Sequence, residues 1–169
     1  FIDVLQQIDA VMNESQYSAD SKGDYKGSLC TRLRSLTNGI NGMIFSADEL
    51  DSADLFDRNV IVDLSRVGST ETKALIMGLL VMKLQEYRMS QGGMNETLRH
   101  VTVLEEAHNL LKRTSTVQGA VGADLAGKSV EMLANAIAEM RTYGEGFIIA
   151  DQAPGLLDEA VIRYTNTKI

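Results

Sequence analysis

Two adjacent acids, Glu105 and Glu106, directly follow the apolar run Val101-Thr102-Val103-Leu104. Such a pair divides labour as nucleotide hydrolysis requires. One carboxylate reaches Mg²⁺, usually through water because that ion dehydrates reluctantly. The next leaves the strand end in the other direction and orients or deprotonates the attacking water. Glu105 is thereby assigned to the metal and Glu106 to the water. The same acids would equally suit the exposed start of a helix, where negative charge is favourable. Asp63 closes the run Val60-Ile61-Val62, and Asp151-Gln152 closes Phe147-Ile148-Ile149-Ala150. Ligands in open parallel sheets lie beyond the carboxyl ends of the strands. Up to four acids and an amide are therefore expected along one sheet edge. Polar strand ends reaching solvent would produce the same pattern.

A second pattern is the segment Gly122 to Ser129, which fits G-x-x-x-x-G-K-[ST] letter for letter. A phosphate loop needs a buried strand immediately before its first glycine. Here Arg113 to Val121 is polar and glycine-broken, so the segment reads as a decoy. The 13 residues from Lys128 to Arg141, if helical, also separate those two cations by roughly 20 Å. They could not both grip one phosphate. Residues 1–100 contain no other Gly-Lys-Ser/Thr loop. His108 reads as a helix-start residue that hydrogen-bonds nearby rather than a metal ligand. His100 simply precedes a strand, and the methionines fill the core.

These residues must be held by regular elements. Apolar positions Phe1, Val4, Leu5, Ile8, Val11 and Met12 predict a surface helix over residues 1–14. Ser15 to Gly27 reads as a loop, followed by a short helix carrying Leu29, Leu33 and Leu36 and ended by Asn38-Gly39. Met43-Ile44-Phe45 reads as a short strand, and Ser46 to Asn59 as an acidic connection. Val60 to Leu64 is β-branched, as expected of a strand buried on both faces. Thr70 to Met89 reads as a long helix, apolar almost all round between Ala74 and Met82 and therefore sandwiched. Val101 to Leu104 gives a second strand, and Lys112 to Lys128 an unusually long polar loop. Ser129 caps a helix from Val130 to about Tyr143, which Gly144 ends. Phe147 to Ala150 is a third strand, and Pro154-Gly155 turns into a last short helix. Alternation of this kind predicts an α/β fold with a mostly parallel sheet and helices on both faces.

Composition narrows the class. The chain has 169 residues, 44% hydrophobic and 23% charged, which suits a globular domain and excludes disordered and collagen-like classes. Its longest apolar stretch, Ala74 to Met82, is less than half of the ~20 residues a membrane span needs. A formal charge of −7 gives no global attraction to nucleic-acid phosphate. Cys30 is the single cysteine, which excludes an internal disulfide and fits a cytoplasmic, reducing setting. Because the chain opens on Phe1 rather than methionine, a segment of something longer is expected, and proteolytic processing would produce the same start.

Val101 to Leu110 resembles the Walker B segment of the HerA/FtsK superfamily, hexameric DNA-pumping ATPases with a RecA-like core. Glu105 stands where that family more commonly has Asp. Ala138 to Pro154 resembles its signature of Arg, then Gly, then a strand, then Gln-x-Pro. Leu157-Asp158 and Asn166-Thr167 match the family's segment after that signature, and Val60 to Ser65 is similar to the strand preceding Walker B. The resemblance covers residues 60–169 in order and is weak over residues 1–59. It implies a lead-in segment over 1–59 and the carboxy-terminal half of an ATPase core over 60–169. It further implies that Gln152 contacts the γ-phosphate or the attacking water, and that Arg141 lies at a subunit boundary. ATP and Mg²⁺ would be the ligands, with DNA and five further copies as partners of the parent protein. Independently, Val130, Leu133, Ile137 and Met140 form one helical stripe, and Arg141 falls on that face. A guanidinium there must pair with a strand-end acid or reach out of the protein. Two other readings stay open: a degenerate domain used for assembly or partner binding, and a small phosphotransferase using Lys128.

Overall fold

The computed structural model describes residues 2–15, 19–46, 48–113 and 121–168. It is a mixed α/β, mostly helical structure with a two-stranded parallel sheet. The chain divides into two units, Phe1–Glu49 and Leu50–Ile169.

The first unit is helical, with α1 over Ile2–Glu14, α2 over Ala19–Leu36 and α3 over Gly39–Ile44. Two sequence expectations fail here. Residues 19–27, read as loop, belong to α2, and Met43-Ile44, read as strand, end α3. Scattered glycines lower helix propensity by about 1 kcal/mol each without forbidding the helix. The rest of the loop reading, residues 16–18, lies outside the described residues.

The second unit carries the candidate site. Short α4 (Ser52–Phe56) leads to α5 (Thr70–Ser90), which starts where Ser69 Oγ accepts the Thr72 N–H at 3.2 Å. Strand β1 (His100–Glu105) follows, then α6 (Val121–Met140), a 3₁₀ turn at Arg141–Tyr143, β2 (Glu145–Ala150) and α7 (Glu159–Tyr164). Strands β1 and β2 pair in parallel, from His100 opposite Glu145 to Glu105 opposite Ala150. Gly144 breaks α6 from β2 with φ 81°, and a Cβ there would meet the Thr97 carbonyl oxygen at 2.5 Å. Only glycine satisfies both conditions.

The core forms where α5 and α6 pack on one face of this sheet. Val81 and Leu84 of α5 meet Val130, Leu133, Ala134, Ile137 and Met140 of α6 above Leu104. The expected α6 stripe is therefore buried, and α7 adds Val161. On the other face Val101, Val103 and Ile148 are 40%, 55% and 54% exposed.

Three further expectations are corrected. Residues 60–64 are not a buried strand: they join no ladder, and Ile61 is 94% exposed. β-branched composition describes a chain that fits a pleated surface, but a strand exists only beside a partner. Helix α5 is not sandwiched either, because Leu75 and Leu79 are exposed. Within the predicted 112–128 loop, residues 121–128 open α6, while residues 114–120 lie outside the described set.

Candidate functional site

Parallel pairing brings the carboxyl ends of β1 and β2 together. Glu105 lies opposite Ala150, so Glu106 on one side and Asp151-Gln152 on the other leave the sheet at one rim. Glu105, Glu106 and Gln152 are all solvent-exposed there. Asp63 belongs to the unpaired 60–64 segment and is not joined to this rim by the sheet.

Glu106 adopts φ 49° and ψ 43°, the left-handed region. A non-glycine residue there is held against a penalty of roughly 1–2 kcal/mol. The turn is fixed from within: Asn109 donates from Nδ2 to the Glu106 carbonyl at 3.1 Å, and the Asn109 N–H donates to the same oxygen at 2.9 Å. The conformation turns the chain immediately after Glu105, so Glu105 ends the strand and Glu106 leaves it.

Asp151 connects the two sides of the rim. Its Oδ2 accepts the His108 main-chain N–H at 2.8 Å and lies 2.9 Å from His108 Nδ1, while Oδ1 accepts the Ala153 N–H at 2.8 Å. Burial pushes this carboxyl up, but the Ala153 and His108 N–H groups and the imidazole outweigh it and hold Asp151 below its usual range. Beyond the rim the two chains stay tied. Arg113 N–H donates to the Leu156 carbonyl at 2.8 Å and Asp158 N–H to that of Leu111 at 2.9 Å. His108 thus makes the nearby hydrogen bonds expected of it.

Arg141 lies elsewhere. It sits in the 3₁₀ turn before β2, at the opposite end of that strand from Gln152. Six strand residues separate those ends by roughly 17 Å. The expectation that Arg141 lies on a buried face is overturned: it is exposed. Among the described residues no hydrogen bond or ion pair holds its guanidinium. The α-helical period ends at Met140, and the tighter turn removes Arg141 from the stripe it was assigned to. The Gly122 to Ser129 motif is helical throughout, not a loop that aims successive N–H groups at a phosphate.

A cluster that the residue types did not reveal lies at the other end of the sheet. Glu145 is buried and accepts from Arg88 Nε at 2.9 Å and Thr102 Oγ1 at 2.7 Å, with His100 Nδ1 at 2.8 Å. Arg88 also donates to Asp57 Oδ1 at 2.6 Å and to the Phe56 carbonyl at 2.7 Å. Tyr87 OH donates to Asp57 Oδ2 at 2.5 Å. Of these groups Asp57, Arg88 and His100 line a cavity of about 130 Å³ with Gln91, Gly92, Arg99 and Tyr143. One sequence signal was present: Arg88 extends the buried α5 positions Thr72, Ile76 and Leu84 at helical spacing, and Glu145 opens an apolar strand.

Among the described residues, no three His, Cys, Asp or Glu side chains converge to hold a metal ion. A single exposed carboxylate such as Glu105 fits a Mg²⁺ ion only in its water-mediated mode, where substrate phosphates supply the direct ligands. No helix among the described residues is long and apolar enough to cross a membrane. Comparison with protein-family models, curated proteins and solved structures returns no match.

Proposed function

We propose that the chain is the hydrolysing and sensing part of a RecA-like motor domain of the HerA/FtsK type, in an ATP-driven DNA translocase or helicase. The observation that carries this reading is the register of β1 with β2, which puts Glu105, Glu106 and Gln152 at one rim. The left-handed turn at Glu106 supports it, since strained backbone concentrates at functional sites. In this reading Glu105 holds Mg²⁺ through water, and that ion would neutralise charge on the β- and γ-phosphates. Glu106 accepts a proton from the attacking water, and Gln152 donates from its carboxamide to the γ-phosphate. Arg141, too far along β2 to serve its own subunit, is exposed and available to a neighbour's nucleotide in a hexamer. The described residues hold no strand-loop-helix phosphate cradle, and the reading requires one from outside them.

The experiment is the Glu106→Gln substitution in the parent protein. Turnover of ATP is abolished while nucleotide binding persists; unchanged turnover removes the role of Glu106. The chain alone should show no micromolar binding of Mg-ATP by calorimetry, and a micromolar titration would contradict the absence of a phosphate cradle from the described residues.

One observation favours a non-catalytic assembly domain instead, namely the uncovered apolar face of Val101, Val103 and Ile148. Catalytic loss in Glu106→Gln separates the two readings, because an assembly domain has no turnover to lose. The phosphotransferase reading is disfavoured by the helical backbone of Gly122 to Ser129.

A further inference from the structure

The Asp151 side chain is only 2% exposed, yet it stands between two exposed loops that carry the candidate chemistry. A carboxylate in such a place persists only where donors replace its water. The donors come from both sides: His108 belongs to the turn that follows Glu106, and Ala153 follows Gln152. An ionised carboxylate can only accept, so the 2.9 Å contact assigns a proton to Nδ1 of His108, which donates to Asp151.

We propose that Asp151 and His108 form a clasp that sets the distance between the acid pair and Gln152, making both positioning residues for ATP hydrolysis. The inference rests on the motor reading above and adds residues that act through others. Upstream, the rim is fixed by the β1–β2 ladder, ending at Glu105 opposite Ala150. Downstream, it is fixed by the Arg113–Leu156 and Asp158–Leu111 hydrogen bonds. Between these ties run the residues whose placement matters, and there Asp151 spans the gap. Loss of the clasp therefore leaves the chain folded while Glu106 and Gln152 drift apart. Displacement of a catalytic group by about 1 Å costs up to ~100-fold in rate.

The donor on His108 is its Nδ1, and asparagine carries an amide N–H at the equivalent place, whereas glutamine carries one at the place of Nε2. His108→Asn should therefore preserve the side-chain half of the clasp, and His108→Gln and His108→Ala should remove it, leaving Asp151 only the main-chain N–H from position 108. In the parent ATPase, Asp151→Ala, His108→Ala and His108→Gln lower kcat roughly 10- to 100-fold with KM for ATP little changed, and because Asp151→Ala also lowers the melting temperature by removing a buried acceptor, all rates are compared well below the midpoint of the least stable variant. His108→Asn stays within about threefold of the parent kcat. Equal rates for His108→Asn and His108→Gln, or an undiminished kcat in Asp151→Ala, overturn the clasp. Nitrogen-15 NMR of the chain alone tests it without turnover. The expected His108 ring carries a proton on Nδ1, and a ring protonated on Nε2 alone overturns the proposal whatever the kinetics. Glu106→Gln, assayed beside these variants, separates the two claims. If it abolishes turnover while Asp151→Ala does not lower kcat, the clasp falls and the motor reading stands; if it has no effect, the motor reading falls.

Discussion

Replacing Glu145 by alanine should be among the most damaging single changes in the second unit. The Glu145 side chain has 0% exposure and that of Arg88 8%, so the pair is dry on both sides. Removal of the carboxylate leaves three donors facing it without an acceptor: Arg88 Nε, Thr102 Oγ1 and His100 Nδ1. Breaking a buried pair by deleting one partner costs about 3–5 kcal/mol. Asp57, whose side chain is 49% exposed, still meets Arg88 Nη1, which places the expected cost at the lower end, about 3 kcal/mol. With a urea slope near 2 kcal/mol/M, the unfolding midpoint falls by roughly 1.5 M. Glu145→Gln keeps the volume and one acceptor oxygen, and should lose about half as much. The double variant Arg88→Met/Glu145→Leu removes both charges and should be more stable than Glu145→Ala alone. Urea titration followed by circular dichroism at 222 nm reads all three. A midpoint shift below roughly 0.3 M for Glu145→Ala, at unchanged slope, would refute the reasoning, as would a double variant less stable than Glu145→Ala.

Three more outcomes are expected. Glu106→Gly should melt about 4 °C above Glu106→Ala, because only glycine relieves the left-handed conformation, worth about 1 kcal/mol; equal melting temperatures would mean the turn is unstrained. In acid, Asp57 is held below its ordinary 3.8 by the Tyr87 hydroxyl and the Arg88 guanidinium, and Asp151 is held low by the N–H groups that outweigh its burial. The stability these carboxylates lend is fully present above that value and lost as pH falls through their lower folded ones. Acid unfolding monitored by circular dichroism should accordingly be shallower below pH ~4 in Asp57→Asn and Asp151→Asn, and unaltered curves would contradict the linkage. At the basic end Tyr87 is held above its ordinary 10.0, chiefly by its hydrogen bond to Asp57, so that contribution is present below this value and vanishes as pH rises through the folded one. Finally, if the motor reading holds, Arg141→Ala and Glu106→Gln subunits, each inactive in homogeneous rings, should recover partial ATP turnover when mixed. Recovery is absent if Arg141 acts within its own subunit.

What the sequence made legible was whatever a short stretch decides by itself. Helix α5 was placed to within a residue because the long run from Thr70 to Met89, apolar almost all round between Ala74 and Met82, exceeds strand length. The α6 stripe and the Gly144 stop were equally local, as were the two strands that reach the core. The failures need information from outside the stretch. Val60 to Leu64 has the composition of a strand but no ladder partner, and Ile61 stands 94% exposed. Arg141 was misplaced by one change of helical period, from α to 3₁₀, a choice made by the turn into β2. The Glu145 cluster unites residues from α4 to β2, and no spacing rule links positions 57 residues apart.

The two ends of the small sheet are thus built on opposite principles, and their difference bears on the candidate site. At the amino end every polar group of the buried cluster is paired, and no buried side-chain nitrogen or oxygen among the described residues lacks a partner. At the carboxyl end Glu105, Glu106 and Gln152 are exposed and one of them holds a disfavoured backbone conformation. A turn strained by 1–2 kcal/mol relaxes unless its flanks are fixed more firmly than that. The strand ladder, the Asp151 contacts and the tie from Leu111 to Asp158 supply that fixation on three sides. On the motor reading, stability at the closed end and strain at the open end form one arrangement, in which the packed cluster keeps β1 and β2 in the register that brings Glu105, Glu106 and Gln152 to one rim.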